Sequence, residues 1–468
     1  MIEIKENTIS LPIMYKSLRQ DIGKEIAYEN SYHRAQRCSH YLSSSVGLCH
    51  EEISDSPLFS HPLRKSRWPG LSTALVSLLM AFVEGATLRD QFAAARRCLV
   101  EMYPGARRPG KTLEGFIAAR KPFSSQFQSM VHSHLQRQHV QVAGRFWRRL
   151  GWEAFAADGS RVEMPCTAAN ESAFGCAGKK KTGPQLLLTT LYQMGTGLSW
   201  DWRIGKGTES EREHLRSMLS GLPAEALLVA DAGFTGYELL NAIMGSGRHF
   251  LVRVGANVTL LRGLGLEFKI DGDRVWLWPQ KRRHQPPLKL RLMVLKKAGA
   301  SKSDVYLLTD VLDSQRLSDE TMAVLYRLRW GVEIFYRGFK RTLDQHKLRS
   351  RSPRNAMDEL HWAMTAYLLL GLMSVEGMIA AGTDPLGLSV AGALRIVRTA
   401  MQNRMSWRYK GDLRCLPAGA VKDGYRRNHP KRARHWPHKK NDPPCGIPKI
   451  RMATANEIHC VQRTYNVA

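Results

Sequence analysis

Two apolar runs of strand length end in an aspartate. WEAFAAD places Asp158 after one run, just before Gly159 and Ser160, and ALLVAD places Asp231 after another, before Ala232, Gly233 and Phe234. At the carboxyl ends of strands in an open α/β sheet, such acids face the crevice where ligands bind. Asp-Gly also starts turns, and VYLLTD reaches Asp310 in the same way, so one instance identifies nothing. A third acid, Glu333, lies in YRLRWGVEIFYRGFK. There Tyr326, Arg329, Glu333 and Lys340 stand at offsets 0, 3, 7 and 14 from residue 326, near whole helical turns and so on one helix face. Glu333 either pairs with Arg329 or Arg337 on a wet surface or joins the aspartates in a site. Gly331 and Gly338, each costing a helix about 1 kcal/mol, suggest that another backbone comes close.

The elements that must position these acids follow from periodicity. Residues 1–150 read mostly as helix, with apolar spacings of three and four in Leu71–Val83 and Gln91–Met102. Over 151–254 the order is strand, strand, strand, helix, strand, helix, strand. Glu153–Ala157, Leu186–Met194 and Leu198–Ile204 can form a meander, and Leu227–Ala230 and Phe250–Val254 lie parallel to the first strand. Residues 255–313 are purely β in pattern, with an Asp-Gly hairpin in FKIDGDRVWLWP, and read as an inserted β-rich subdomain. From 314 to 382 a long helix starts at the N-cap Ser318, runs towards Asp344 and is followed by an apolar helix from Asp358 to Ile379. Residues 383–468 end in a tail with nine Lys/Arg and five Pro between Gly424 and Arg451. The fold class is therefore mixed α/β.

The chain of 468 residues carries 69 Lys+Arg against 41 Asp+Glu, a net +28, and 43% hydrophobic residues. That apolar content excludes wholesale disorder, and the charge makes a polyanion the leading partner. An anionic membrane is the weaker partner, because the apolar runs Leu71–Val83 and Trp362–Val375 are cut short by Glu84 and Glu376. No secretory leader is readable at the N-terminus, and scattered cysteines suit a reducing compartment, so a cytoplasmic location is expected. Cys38/His40/Cys49/His50 and His435/His438/Cys445 have metal-ligand residue types without the paired spacing of a zinc site.

The spacing Tyr326, Arg329, Glu333, Lys340 meets in full the YREK signature of bacterial insertion-sequence transposases, and the chain resembles the IS-four family of DDE cut-and-paste enzymes. Asp158-Gly-Ser, Asn170, Phe174-Gly175 and Asp231-Ala-Gly-Phe agree with it, and the resemblance covers roughly residues 150–382. It implies an RNase H-like core in which Asp158, Asp231 and Glu333 are catalytic and hold two Mg²⁺ or Mn²⁺ ions. Three ionised carboxylates in one small site need such cations, and hard oxygen donors favour these metals. The resemblance further implies DNA contacts through Tyr326, Arg329 and Lys340, and a homodimer that pairs two element ends on double-stranded DNA. Arg337 on the same helix, Lys180 and Lys181 in the loop after the first strand, and Lys281–Arg283 are candidate phosphate contacts. Trp276 and Trp278, on one strand face, read as core or as a hold for a displaced base.

The sequence also admits two other readings. Gly105–Thr112 fits the P-loop pattern of an ATPase, but Pro109 removes an amide from the cradle and the preceding run has helical spacing. A decayed, non-enzymatic DNA-binding protein would share the charge, though all three acids are in place.

Overall fold

The computed structural model describes residues 67–68, 70–102, 108–121, 124–177, 183–265, 273–296, 304–403, 419–422 and 445–464. Lys180, Lys181, the Asp-Gly hairpin at 271–272, most of the basic tail and Cys38–His50 lie outside them.

Four helices come first: α1 (Gly70–Phe82), α2 (Leu88–Met102), α3 (Leu113–Arg120) and α4 (Ser124–Ala143). The run before the P-loop pattern is thus helix α2 and not a strand. Of the pattern itself, the Gly110 amide bonds Arg67, Arg96 donates to the carbonyls of Pro109 and Gly110, and Thr112 caps α3. An amide already bonded to the chain cannot cradle a phosphate, which removes the ATPase reading.

A meander follows, β1 (Ala154–Glu163), β2 (Gln185–Gln193) and β3 (Leu198–Lys206), with α5 (Ala168–Phe174) between its first two strands. Two crossovers then run α6 (Glu211–Met218), β4 (Leu227–Ala230), α7 (Tyr237–Gly245) and β5 (His249–Val254). β4 pairs parallel with β1, and β5 with β4, as strands joined through helices must. Alternation along β1 separates the faces. Ala154 and Ala156 pack with the N-terminal helices and the later helices, whereas Phe155 and Ala157 pack with α6 and α7.

β6 (Thr259–Arg262), β7 (Arg274–Leu277), β8 (Leu288–Leu295) and β9 (Val305–Thr309) do not stand apart from this sheet. β9 pairs with β5, giving one ten-stranded sheet of order β10-β6-β7-β8-β9-β5-β4-β1-β2-β3 once a strand from the C-terminal region is included. The boundary at residue 254 therefore divides the chain but not the sheet. Trp276 and Trp278 are buried in a small cluster with Leu261, Leu264 and Val461.

The long helix expected from Ser318 to Asp344 is interrupted. α8 (Asp319–Leu328) gives way at Arg329 to α9 (Trp330–Arg337), and Gly338–Thr342 form a π turn. The glycines answer to side chains and not to a backbone. A Cβ on Gly331 would lie 2.6 Å from the Tyr192 hydroxyl, and one on Gly338 would overlap the Tyr367 hydroxyl. α10 (Pro353–Ala380) is the one helix among the described residues long and apolar enough to cross a membrane, yet 78% of its apolar window is buried against the rest of the chain. α11 (Val390–Asn403), β10 (Lys449–Met452) and α12 (Ala455–Thr464) complete the order.

Asp310 has a structural task. Its carboxylate meets His249 Nδ1 at 2.6 Å and accepts the Phe250 amide at 2.8 Å. That bond chiefly raises the His249 pKa. A raised histidine stabilises the fold below its unfolded value and loses that contribution as pH rises through the folded one. Asp310→Ala should therefore cost about 3 kcal/mol in denaturant unfolding near neutral pH, and the gap to wild type should narrow by pH 9.

Candidate active site

The register of β1 on β4 pairs Ala154 with Leu227, Phe155 with Leu228 and Ala156 with Val229, an offset of 227 − 154 = 73. The two aspartates differ by 231 − 158 = 73 as well. Asp158 and Asp231 therefore stand side by side at one level of neighbouring parallel strands. β4 ends at Ala230, so Asp231 opens the turn after it, whereas Asp158 lies inside β1 and not beyond its end. β1 continues because its other edge stays paired with β2, where Asp158 faces Thr190.

Each carboxylate is held locally by an amide. Asp158 Oδ1 accepts the Gly159 N–H at 2.9 Å, and Asp231 Oδ1 accepts the Gly233 N–H at 2.8 Å. Neither makes an ion pair among the described residues. Burial, and then the charges of Asp231 and Glu211, push the Asp158 carboxyl up to about 7, against the Gly159 bond and the more distant Arg329 guanidinium. The ordering is physical: desolvation disfavours the anion, and like charges add to it.

Glu333 is carried by α9, which packs on β1 through buried Val332, Phe335 and Tyr336. The Tyr336 hydroxyl stands 2.9 Å from the Asp158 carbonyl oxygen and 3.0 Å from that of Leu188, so its one hydrogen is shared between β1 and β2. The Glu333 helix is thereby fastened to the backbone of Asp158 itself. The Glu333 side chain, however, accepts from Arg329 at 3.2 Å. Among the described residues no three acids, histidines or cysteines stand close enough to cage an ion. The structure thus brings Asp158 and Asp231 together and places the Glu333 helix against them, with the Glu333 carboxylate turned to Arg329.

The other expected contacts divide. The Arg329 guanidinium packs over the Tyr326 ring, 5.6 Å from its centroid. Burial opposes its charge, but Tyr326, Asp231, Glu333 and Asp158 keep it more firmly protonated than usual. Lys340 donates to the Arg161 carbonyl at 2.5 Å, and burial lowers its pKa. Arg337 is exposed at the end of α9. Arg282 pairs with Glu238, and Arg283 pairs with Glu457 while stacking on Trp278. Asn170 is buried and donates to the Pro165 carbonyl, a scaffold role.

Glu211, at the start of α6, was not singled out in the sequence. Burial and then Asp231 raise its pKa against the charges of Arg161 and His214, and its carboxylate lies against Gly159, where a Cβ would overlap the carboxyl group. An acid in the first turn after Ser210 reads as an ordinary favourable dipole contact. The usable signal was Gly159, a glycine inside a strand, which marks close approach by another group.

Residues 152–369 match the protein family described as Transposase DDE domain. Over 292 residues the chain is 28% identical to the Transposase InsG for insertion sequence element IS4 of Escherichia coli (strain K12). That match takes in 59% of this chain and 64% of the relative, less than two thirds of its length. A cryo-EM structure of the piggyBac transposase synaptic complex with hairpin DNA covers 84% of this chain and 83% of its own at 14% identity and TM-score 0.38, too distant a likeness to bear on residue roles. Residues 152–369 are thus similar to transposase DDE domains, and the chain is similar to an insertion-sequence transposase over somewhat more than half of its length.

The raised Asp158 pKa makes a metal-free prediction. Between its ordinary 3.8 and about 7 the folded protein keeps a proton that the unfolded chain has lost, so stability falls as pH rises through that window. In EDTA, Asp158→Asn should melt above wild type at pH 8 and level with it at pH 4. Equal differences at the two pH values would refute the shift.

Proposed function

We propose that this chain is a DNA transposase that cleaves strands at the ends of its own element and joins the freed 3′-hydroxyl to target DNA. The observation that carries the reading is the pair Asp158 and Asp231, level on adjacent parallel strands and without ion pairs among the described residues, in a domain of the transposase DDE family. The partial order β3-β2-β1-β4-β5, with the first three strands antiparallel and the last two parallel to β1, supports an RNase H-like core.

The residues suit hard divalent cations. Asp158, Asp231 and Glu333 offer only carboxylate oxygens, and Asp158 is destabilised as an uncompensated anion. Two Mg²⁺ or Mn²⁺ ions bound there would activate a water, and later a 3′-hydroxyl, and stabilise the leaving oxygen of an in-line displacement. The chain's own contribution is placement. Gly159 and Gly233 hold one oxygen of each aspartate and leave the other available. Tyr336 fixes the Glu333 helix against β1. Arg329, close to both aspartates in charge and itself partly desolvated, is suited to grip a phosphodiester through its planar fork. In exchanging Glu333 for a phosphate, it would release that acid to the site. Tyr326 supports the Arg329 plane, and Arg337 supplies an exposed cation on the same helix. Lys340 contributes to DNA only by leaving Arg161. Two copies would pair the two ends of the element.

The test is cleavage of DNA carrying the element's terminal repeats. Cleavage should require Mg²⁺ or Mn²⁺ and stop in EDTA. Asp158→Ala, Asp231→Ala and Glu333→Ala should each lower the rate at least 10³-fold, a loss of about 4 kcal/mol in transition-state stabilisation, while end binding persists. Asp310→Ala should cut normally per folded molecule. Binding without cleavage under either metal would leave the non-enzymatic reading in place.

A further inference from the structure

The register that levels the two aspartates extends one strand further. β4 pairs with β5 as Leu227 with His249 and Ala230 with Val252, an offset of 249 − 227 = 22. Asp231, whose backbone is still extended, therefore stands level with Arg253, and Asp158, Asp231 and Arg253 form one row across three neighbouring parallel strands. Alternation puts all three on one face. Ala156, Val229 and Leu251 pack in the same cluster as α8 and α9, whereas Ala157, Ala230 and Val252 pack on the other side. The Thr235 hydroxyl, in the turn after Asp231, donates to the Arg253 carbonyl at 2.8 Å and fastens the two positions together.

An arginine is unexpected there. β5 is paired on both edges, with β4 and with β9, and a strand so placed normally reads as an unbroken apolar run. HFLVRV interrupts that run with a half-buried guanidinium. Level position does not make a pair: among the described residues the Arg253 side chain has neither an ion pair nor a hydrogen bond, with Asp231 or any other group. A cation partly withdrawn from water without an anion is costly. Its charge acts on the Tyr326 phenol, as does that of Arg329 from the end of α8. Two guanidiniums from separate elements thus converge on one phenol, an arrangement that repels itself unless an anion lies between them.

We propose that Arg253, Tyr326 and Arg329 form a cradle for one backbone phosphate of DNA beside the two aspartates. The proposal rests on the reading of this chain as a DNA transposase. Its new member, Arg253, lies outside the helical pattern of Tyr326, Arg329, Glu333 and Lys340. Arg329 brings a planar fork from the helix, Arg253 a second fork from the sheet, and the Tyr326 hydroxyl a further donor between them. A phosphate so gripped is held from both sides and at the level of the carboxylates.

The experiment uses the full-length protein and duplexes carrying the element's terminal repeat, in which single phosphates around the cleavage site are replaced by neutral methylphosphonates. Binding is read by fluorescence anisotropy in EDTA, with thermal melts to verify folding. Arg253→Gln should weaken binding of the unmodified duplex about tenfold and lower its salt slope by about one. One methylphosphonate should cost the wild type about tenfold and cost Arg253→Gln at least about threefold less, since that variant no longer has the charge the phosphate met. If Arg253→Gln does not fold, Arg253→Met, which keeps an apolar stem, decides by the same comparison. An arginine that only offsets Asp231 through space would leave both proteins equally sensitive to every methylphosphonate, and that result overturns the cradle. A difference found on target duplexes and not on element ends keeps the cradle and assigns its phosphate to target DNA. Wild-type protein that binds these duplexes but cuts none in Mg²⁺ or Mn²⁺ overturns the transposase reading, while the methylphosphonate comparison still decides the cradle.

Discussion

Like charge on neighbouring strands is the constraint from which the rest of this site follows. Two parallel strands lie about 4.8 Å apart, and Asp158 and Asp231 share one level across that gap. The chain has cations in excess, 69 against 41 acids, and could have set a lysine or arginine directly against either aspartate. Among the described residues it does not. Arg329 acts on both from further away and bonds Glu333 instead. A protein that accepts such repulsion gives up stability that a simple Asn or Ser would return. Such a cost is what the proposed active site predicts, since function and stability often pull apart.

The acids keep their positions because most of their mounts do not depend on the carboxylates' charge. Hydrophobic burial fixes α9, and a shared phenolic hydrogen then links it to the Asp158 carbonyl. Backbone amides hold one oxygen of each aspartate, and Arg212 links α6 to the turn after β4. The helix packing and the links between backbone groups do not draw on the carboxylates' charge, whereas the Gly159 amide favours the ionised form of Asp158. Electrostatic preorganisation of this type is effective only when the frame does not relax as charge develops.

Much of that frame is readable from the chain. Alternation and run length give the meander, the crossovers and the parallel relation of β4 to β1. The sequence separation of 73 between the aspartates turns out to equal the strand register, although no periodicity could show that equality. The unread parts have physical reasons. Glu211 follows an N-cap position where acids are common, so its approach to Asp158 depends on a contact with Gly159 that exists only in three dimensions. Helical spacing projects Tyr326 to Lys340 onto one straight face, but a turn at Arg329 and the π turn that begins at Gly338, where Tyr367 packs close, change the phase along it. The β-rich stretch after Val258 reads as separate because hairpins are local, whereas its union with the core through β5 and β9 is a long-range pairing. Asp310 has the same strand-end appearance as Asp231 and differs only in its partner, a histidine at the opposite end of β5.

The cations carry less positional information than their number suggests. Arg282 and Arg283 hold carboxylates within the chain, Lys340 is engaged by a backbone carbonyl, and Arg291 is 1% exposed. A positive total therefore predicts attraction to a polyanion at long range without marking the surface that grips it. Acids behave differently in a basic protein. Exposed ones such as Glu101, Glu171 and Glu213 need no ion pair because water solvates them, whereas desolvation makes leaving a buried one unpaired expensive. The partly buried carboxylates of Asp158, of Asp231 in the turn after β4 and of Glu211 repel one another, and in a chain of net charge +28 that repulsion, more than any cluster of lysines, is what the proposed chemistry rests on.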